Sequence, residues 1–366
     1  MTIPFALRRP WLIARGAGTD RNRPDLAHLG TLDDPEAFVW AILPHAARTF
    51  ATSIIMLPAP LARTAAVAYL YCRMLDTYED LSRPDDRDNA LQAFAARMST
   101  FDAPPPLPAD TAQTDRDRGH LLLVNRCSMV DRVFVTLPES DQTRIIDLVR
   151  AMADGMVWSS QRFAQQGGVL VDAHQVSRYC HHVIGGPILF TLLLVLDVDL
   201  TVEQHADALA SSELIQLANI TRDIERDLAR GIAYHPSLLP HLGRSDVTGA
   251  TREARRDLMA QALPHASAYT RLAHQLATRR FSFARASAVL MLLFTDRHYQ
   301  SSARLIGIPG WKSRSRTSTI VLWAILSAWS RRWAFRVMRR VEHNFLTAAD
   351  AISREATHKR APDGTL

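Results

Sequence analysis

Gln216-Leu-Ala-Asn219-Ile-Thr-Arg222-Asp223-Ile-Glu-Arg-Asp227 decides how this 366-residue chain is read. At 3.6 residues per turn, Gln216, Asn219, Asp223 and Asp227 fall on one helical stripe. The stripe is polar and doubly anionic, while Leu214, Ile215, Leu217, Ile220 and Ile224 supply apolar neighbours. A helix that simply turns its charges to water would look the same, so the stretch decides the reading only together with a second one. A second acidic pair upstream, in Asp76-Thr-Tyr-Glu79-Asp80, repeats the i, i+4 carboxylates.

Two such pairs make little sense as structural devices. Four acids around one cavity would repel one another and raise each other's pKa values. Mg²⁺ relieves that repulsion, because it takes oxygen ligands and binds through a few carboxylates, waters and substrate phosphates. The expected chemistry is diphosphate binding between two acid-lined helix faces. Glu79 and Glu225 lie off the stripes and are the weaker candidates.

The wider motifs, Tyr69-Leu-Tyr-Cys-Arg73-Met-Leu-Asp76-Thr-Tyr-Glu79-Asp80 and Gln216 through Gly231, resemble the aspartate-rich motifs of the squalene/phytoene synthase family. The resemblance extends to Ala47-Arg48-Thr49-Phe50, Met152-Ala-Asp-Gly-Met156 and Tyr179-Cys-His-His-Val-Ile-Gly185, and covers roughly residues 40–300 in the family's order. It implies an all-α isoprenoid-synthase helical bundle around a central cavity. It also implies a Mg²⁺-dependent prenyltransferase joining two prenyl diphosphates head to head through a cyclopropyl intermediate.

On that resemblance Asp76, Asp80, Asn219, Asp223 and Asp227 hold metal, and Arg48, Thr49, Phe50, Arg73, Gln216, Asn219 and Arg222 surround the substrate. A guanidinium can bond two phosphate oxygens at once, which suits Arg73 and Arg222. Tyr179 resembles the tyrosine that removes the proton, and Tyr69 lies on the first motif helix. A phenol, with an ordinary pKa of about 10, is a poor base unless another group takes the proton onward. The Asp76-Thr-Tyr-Glu-Asp80 form is closer to the squalene type than to the phytoene type. Farnesyl diphosphate is therefore the expected substrate and squalene or presqualene diphosphate the expected product, with phytoene from geranylgeranyl diphosphate as the alternative. NADPH use is left open: no Gly-rich dinucleotide fingerprint is present, and the family needs none.

A composition of 47% hydrophobic and 22% charged residues allows a sizeable core. The formal charge of +6 points to an anionic partner, and no nucleic-acid recognition module accompanies it. Cys72, Cys127 and Cys180 are odd in number and lack ligand spacing, so free buried thiols in a reducing, cytoplasmic setting are expected. Arg8 and Arg9 precede an apolar segment too short for a signal-peptide core.

Residues 1–33 read as a loosely ordered arm, 34–310 as the synthase domain and 311–366 as a basic helix and tail. Helices are expected from Asp34 to just before Pro44, from about His45 to Met56, and from Leu61 to Leu81. Further helices fall at about His120–Thr136, Pro138–Phe163, Asp172–Leu196, Thr201–Gly231, Arg252–Leu276 and Ser282–Ile306. Val183–Leu196 reads as a buried helix lining a cavity, too short to span a bilayer. From Trp311, tryptophans mix with aliphatics and then arginines. That mixture suits an interfacial helix at the inner membrane surface, or equally a packed helix with a solvated arginine face. A non-catalytic lipid-surface binder is the rival from another class.

Overall fold

The structure, a computed structural model, describes residues 8–13, 20, 22–47, 49–244, 247–276, 281–308, 311 and 316–360, with side chains at all of these except 49 and 356–360. Among the described residues it is all-α, the sole β feature being a bridge between Val169 and Ala233. Two compact units are present, residues 1–160 with 189–198, and residues 161–188 with 199–366.

In the first unit come α1 (Leu26–Thr31), α2 (Pro35–Ala47), α3 (Thr49–Met56), α4 (Ala59–Leu81), α5 (Arg87–Ala96), α6 (Asp115–Asn125), α7 (Cys127–Phe134) and most of α8 (Glu139–Gln165). Ala, Leu and Met fill one side of α4, and Leu70, Met74, Leu75 and Tyr78 are fully buried. The Tyr78 hydroxyl donates to the Pro105 carbonyl at 2.7 Å, which pins the Pro104–Pro106 loop to this helix. Buried Arg97 pairs with Asp131 at 2.6 Å, and Tyr71 donates to the same carboxylate at 2.7 Å.

Two sequence expectations need correcting here. Helix α2 does not stop before Pro44 but runs through it to Ala47. The proline forfeits one backbone hydrogen bond, while every residue from Phe38 to Ala47 is buried, so packing outweighs the lost bond. The single helix expected over His120–Thr136 is two, starting earlier at a Thr114/Asp117 capping box and breaking at Arg126. Arg126 spends its guanidinium on the carbonyls of Leu29, Gly30 and Leu32, which satisfies the C-terminal end of α1.

The second unit holds α9 (Ala173–Cys180), a π turn (His181–Gly185), α11 (Val202–Ala229), α12 (Thr248–Ala262), α13 (Ala266–Gln275), α14 (Phe283–Ile306), α15 (Thr317–Trp329) and α16 (Arg331–Arg360). Helix α10 (Gly186–Leu196) follows the π turn directly. Thr201 and Gln204 form the expected capping box on α11, and Gly231 takes a φ of +78° just past its end. The helix expected over Arg252–Leu276 is interrupted at Leu263–His265, around Pro264.

Ala173–Leu196 forms one helical run of 24 residues whose most apolar 18-residue window has mean hydropathy 1.7, long and apolar enough by composition to cross a membrane. Only 33% of its most apolar window is buried, so the expectation of a buried helix is not met. The run is longer than Val183–Leu196 because the helix begins at Ala173, ahead of the apolar stretch. Cys72, Cys127 and Cys180 are free and buried, as the sequence suggested.

Candidate active site

Helix α4 is buried along most of its length, and Tyr69, Arg73, Asp76, Glu79 and Asp80 form its open stripe. Arg73 pairs with Asp76 at 3.0 Å and donates to the Tyr69 hydroxyl at 3.1 Å. Phe50 sets its ring 5.7 Å from that of Tyr69. Arg48 and the side chain of Thr49 lie outside the described residues.

The acids on this stripe are under electrostatic strain. Burial pushes the Asp76 carboxyl up to about 6; Arg73 pulls it back, Asp80 pushes it further, and Arg116 pulls it down. Glu79 goes higher still, up to about 8, from burial first and then from the charges of Asp76 and Asp80. The Ser159 hydroxyl donates to it at 3.5 Å. Glu79, set aside on sequence grounds for being off the stripe, thus belongs to the acidic cluster. Arg87, Arg116 and Ser159 also reach it, and no motif marks any of the three.

These residues fit Mg²⁺ in one particular way. Among the described residues no group of three or more His, Cys, Asp or Glu side chains is placed to hold a metal by itself. The donors on α4 are all carboxylate oxygens, the chemistry Mg²⁺ selects when it keeps waters and binds through substrate phosphates. Added positive charge would favour the ionised forms of Asp76 and Glu79, which burial and then the neighbouring acids disfavour. The Nε of Arg73 is buried with no hydrogen-bond partner, a donor left over for an incoming oxygen. The set fits an ion that arrives with a diphosphate rather than one held permanently.

On α11 the polar stripe takes a different form. Asn219 donates to the Gln216 side-chain carbonyl at 3.2 Å. Asp223 is gripped at both oxygens by Arg222, at 2.9 and 2.5 Å, and receives Arg226 at 3.1 Å. Arg226 also lies 3.6 Å from Asp227. Arg222 further contacts the His298 ring at 3.1 Å, a neighbour that sequence spacing did not reveal. Glu225 is indeed apart from the stripe: Arg255, 2% exposed as a side chain, holds both its oxygens at 2.7 Å.

Tyr179 is buried, and its hydroxyl accepts from Tyr234 at 3.3 Å. Phe163 stands edge-on to both rings, at centroid distances of 6.3 and 5.7 Å. The backbone holds this trio in place. Leu170 N–H donates to Ala233 O at 3.0 Å, and Ala233 N–H donates to Gly168 O at 2.8 Å, beside the Val169–Ala233 bridge. The approach is close enough that a Cβ on Gly168, whose φ is +93°, would stand 2.3 Å from the Gly231 carbonyl oxygen. Only glycine fits there. One turn before Gln216, buried Glu213 accepts from Ser177 at 2.7 Å and meets His181 at 3.0 Å and His265 at 3.5 Å. These bonds hold its carboxyl well below the ordinary range although burial pushes the other way. His181 is thus a structural partner of Glu213.

The comparisons with known proteins agree with this arrangement. The family model for squalene/phytoene synthase matches residues 43–315. Squalene synthase BSS of Botryococcus braunii is 29% identical over 155 residues, which is 42% of this chain and 31% of that protein. The match therefore spans about a third of that relative's length. The ligand complex of TcSQS with BPH1237 superposes with a TM-score of 0.64 at 18% identity, over 87% of this chain and 99% of the other. The complex of TcSQS with E5700 gives 0.62, also at 18% identity, over 88% and 100%. At that identity the superpositions speak for the fold, and the family rests on the match over most of the sequence: this chain belongs to the squalene/phytoene synthase family.

Proposed function

We propose that this protein is a Mg²⁺-dependent prenyltransferase that joins two molecules of farnesyl diphosphate head to head. The observation that carries the reading is the open stripe on α4. There Arg73 has a buried donor to spare beside carboxyls raised by burial first and then by one another's charge. Family membership supports the reaction type, and the squalene-like form of Asp76-Thr-Tyr-Glu-Asp80 supports the shorter substrate.

In this reading Arg73 and Arg222 bind diphosphate oxygens. For Arg222 that means exchanging part of its grip on Asp223. Asp76, Asp80, Asn219, Asp223 and Asp227 hold Mg²⁺, which when bound neutralises the charge that accumulates as diphosphate departs. Phe50, Tyr69 and the half-buried side chains of α10 shield the allylic cation from water. Tyr179 takes the proton whose loss closes the cyclopropane ring, and Tyr234 holds the Tyr179 hydroxyl on station by its hydrogen bond. The second diphosphate stays on the cyclopropylcarbinyl product until a further ionisation. NADPH would supply the hydride that gives squalene, and without a donor presqualene diphosphate would accumulate.

The test is a product assay with farnesyl and geranylgeranyl diphosphates in parallel, each with and without NADPH and with Mg²⁺ or a chelator. Presqualene diphosphate from the shorter substrate, and squalene once NADPH is added, is the expected result. Phytoene from the longer substrate alone would overturn the substrate assignment. No diphosphate release from either would overturn the enzyme reading in favour of a lipid-surface binder.

A further inference from the structure

From Arg297 to Val341 the chain has not one Asp or Glu, against ten Lys and Arg. Two helices occupy most of this stretch, and the structure sorts their apolar and basic residues. On α15, Leu322, Leu326 and Trp329 follow each other at i, i+4 and i+7, so they share one face. They are 53%, 42% and 62% exposed, and Phe281, 39% exposed, lays its ring 5.3 Å from that of Trp329. On α16, Arg332, Arg336 and Arg339 follow at the same intervals and all point to solvent.

The outward placement of Trp329 is built in. Fully buried Arg285 donates to the Ser327 carbonyl at 2.6 Å and the Ala328 carbonyl at 2.7 Å, and Ser282 N–H donates to Ala328 O at 3.0 Å. These bonds fasten the end of α15 to the start of α14. Across the corner at Ser330, Trp323 and Trp333 meet edge to face at 6.2 Å, with Arg340 over the Trp323 ring at 4.3 Å. The inner tryptophans therefore carry the packing, while Trp329 and its aliphatic stripe are held open beside a row of guanidinium groups. The expectation of one interfacial helix from Trp311 is corrected in form. Trp311 itself is turned inward, donating to Asp296 at 3.1 Å.

We propose that the α15–α16 corner is a docking surface for an anionic lipid bilayer. An aliphatic stripe with a tryptophan at its end, next to arginines that outnumber Glu342, the first acid after them on α16, matches the headgroup boundary. There apolar side chains enter the acyl region and cations meet lipid phosphates. A second copy of this chain is disfavoured as occupant, because a two-fold contact would set these arginines against their own kind. The inference is independent of the proposed reaction.

The test is flotation of the full-length protein with vesicles of phosphatidylcholine alone, or with about a third phosphatidylglycerol. The variants are Leu326→Glu/Trp329→Glu and Arg332→Glu/Arg336→Glu, with folding checked by circular dichroism. The wild type should bind the anionic vesicles at least tenfold more tightly than the neutral ones. Raising NaCl from 0.1 to 1 M should weaken this, since the Debye length falls from about 10 to about 3 Å. Each double variant should lose at least tenfold. A conservative Trp329→Phe variant should still bind but show less fluorescence quenching by brominated lipid. Equal binding to both vesicle types, no binding, undiminished binding by the variants or unchanged quenching would each overturn the proposal. So would a lipid-free dimer that Leu326→Glu/Trp329→Glu dissolves.

Discussion

The Tyr234 hydroxyl donates to the Tyr179 hydroxyl across 3.3 Å, with the two ring centroids 5.2 Å apart. The bond ties the candidate proton acceptor to a residue seven positions past the second acidic motif. It thereby makes the orientation of Tyr179 depend on backbone pairing at Ala233. Tyr179→Phe should lower turnover by about 100-fold or more, the range for losing a proton-transfer group. Tyr234→Phe keeps the ring and removes only the donor, so a loss nearer tenfold is expected, with KM little changed. Steady-state kinetics on both variants checks this; equal losses would mean that Tyr234 does more than orient its neighbour.

Asp76→Asn and Asp223→Asn should each lower diphosphate release by at least about 100-fold, as expected where several kcal/mol of charge stabilisation is removed. Helicity by circular dichroism should be unchanged, because both side chains lie on open stripes. Full turnover by either variant would remove the metal-clamp assignment. Glu79→Gln tests the residue that spacing alone set aside, and a comparable loss would place it among the functional acids.

Gly168→Ala should destabilise the protein by roughly 2–4 kcal/mol, since it adds both a Cβ clash and a strained φ. The added atom would meet the Gly231 carbonyl at 2.3 Å. Urea unfolding measures the loss. Gly243→Ala, with φ of +73° but open space around it, is the control for backbone strain alone and should cost less.

Two buried acids should shape the pH dependence of stability with opposite signs. Burial pushes Asp296 up to about 6, against which Trp311 and Gln300 donate hydrogen bonds. Its folded value exceeds its unfolded value of about 3.9, so ionisation costs stability. The cost is absent below about pH 4, grows up to about pH 6, and is constant above. Asp296→Asn should therefore gain on the wild type as pH rises through that window, by on the order of 2 kcal/mol. Glu213 is held low by His181, His265 and Ser177. Its contribution is present above the ordinary glutamate range and is lost as pH falls toward its lowered folded value. Urea titrations at several pH values on each variant separate the two.

What the sequence made legible was local. Caps such as Thr201 with Gln204, the acidic stripes and the helical class follow from spacing along the chain. Pro44 misled because its cost is local, while the burial that outweighs it comes from residues far away in sequence. The same holds for Arg126, which breaks a helix in order to cap α1 nearly a hundred positions earlier. In the site, Ser159 on Glu79, His298 on Arg222 and Phe163 on Tyr234 are contacts between residues far apart in sequence. Such pairings leave no period or motif to read.

The π turn at His181–Gly185 has a consequence for how this chain tolerates change. Gly186 N–H reaches back five residues to the His181 carbonyl, so the turn carries one residue more than the α-helix on either side. It is a one-residue insertion absorbed without a loop. Since each helical residue advances the azimuth by about 100°, deleting Val183 or Ile184 would let the segment rewind as plain α-helix. Every side chain after it would keep its phase relative to Tyr179, because Gly186 already takes the place that the residue four positions after His181 holds in an α-helix. Such a codon loss would spare both the reading frame and the angular frame along this helix, whereas losing a residue from the plain α-helix on either side would rotate all that follows by about 100°.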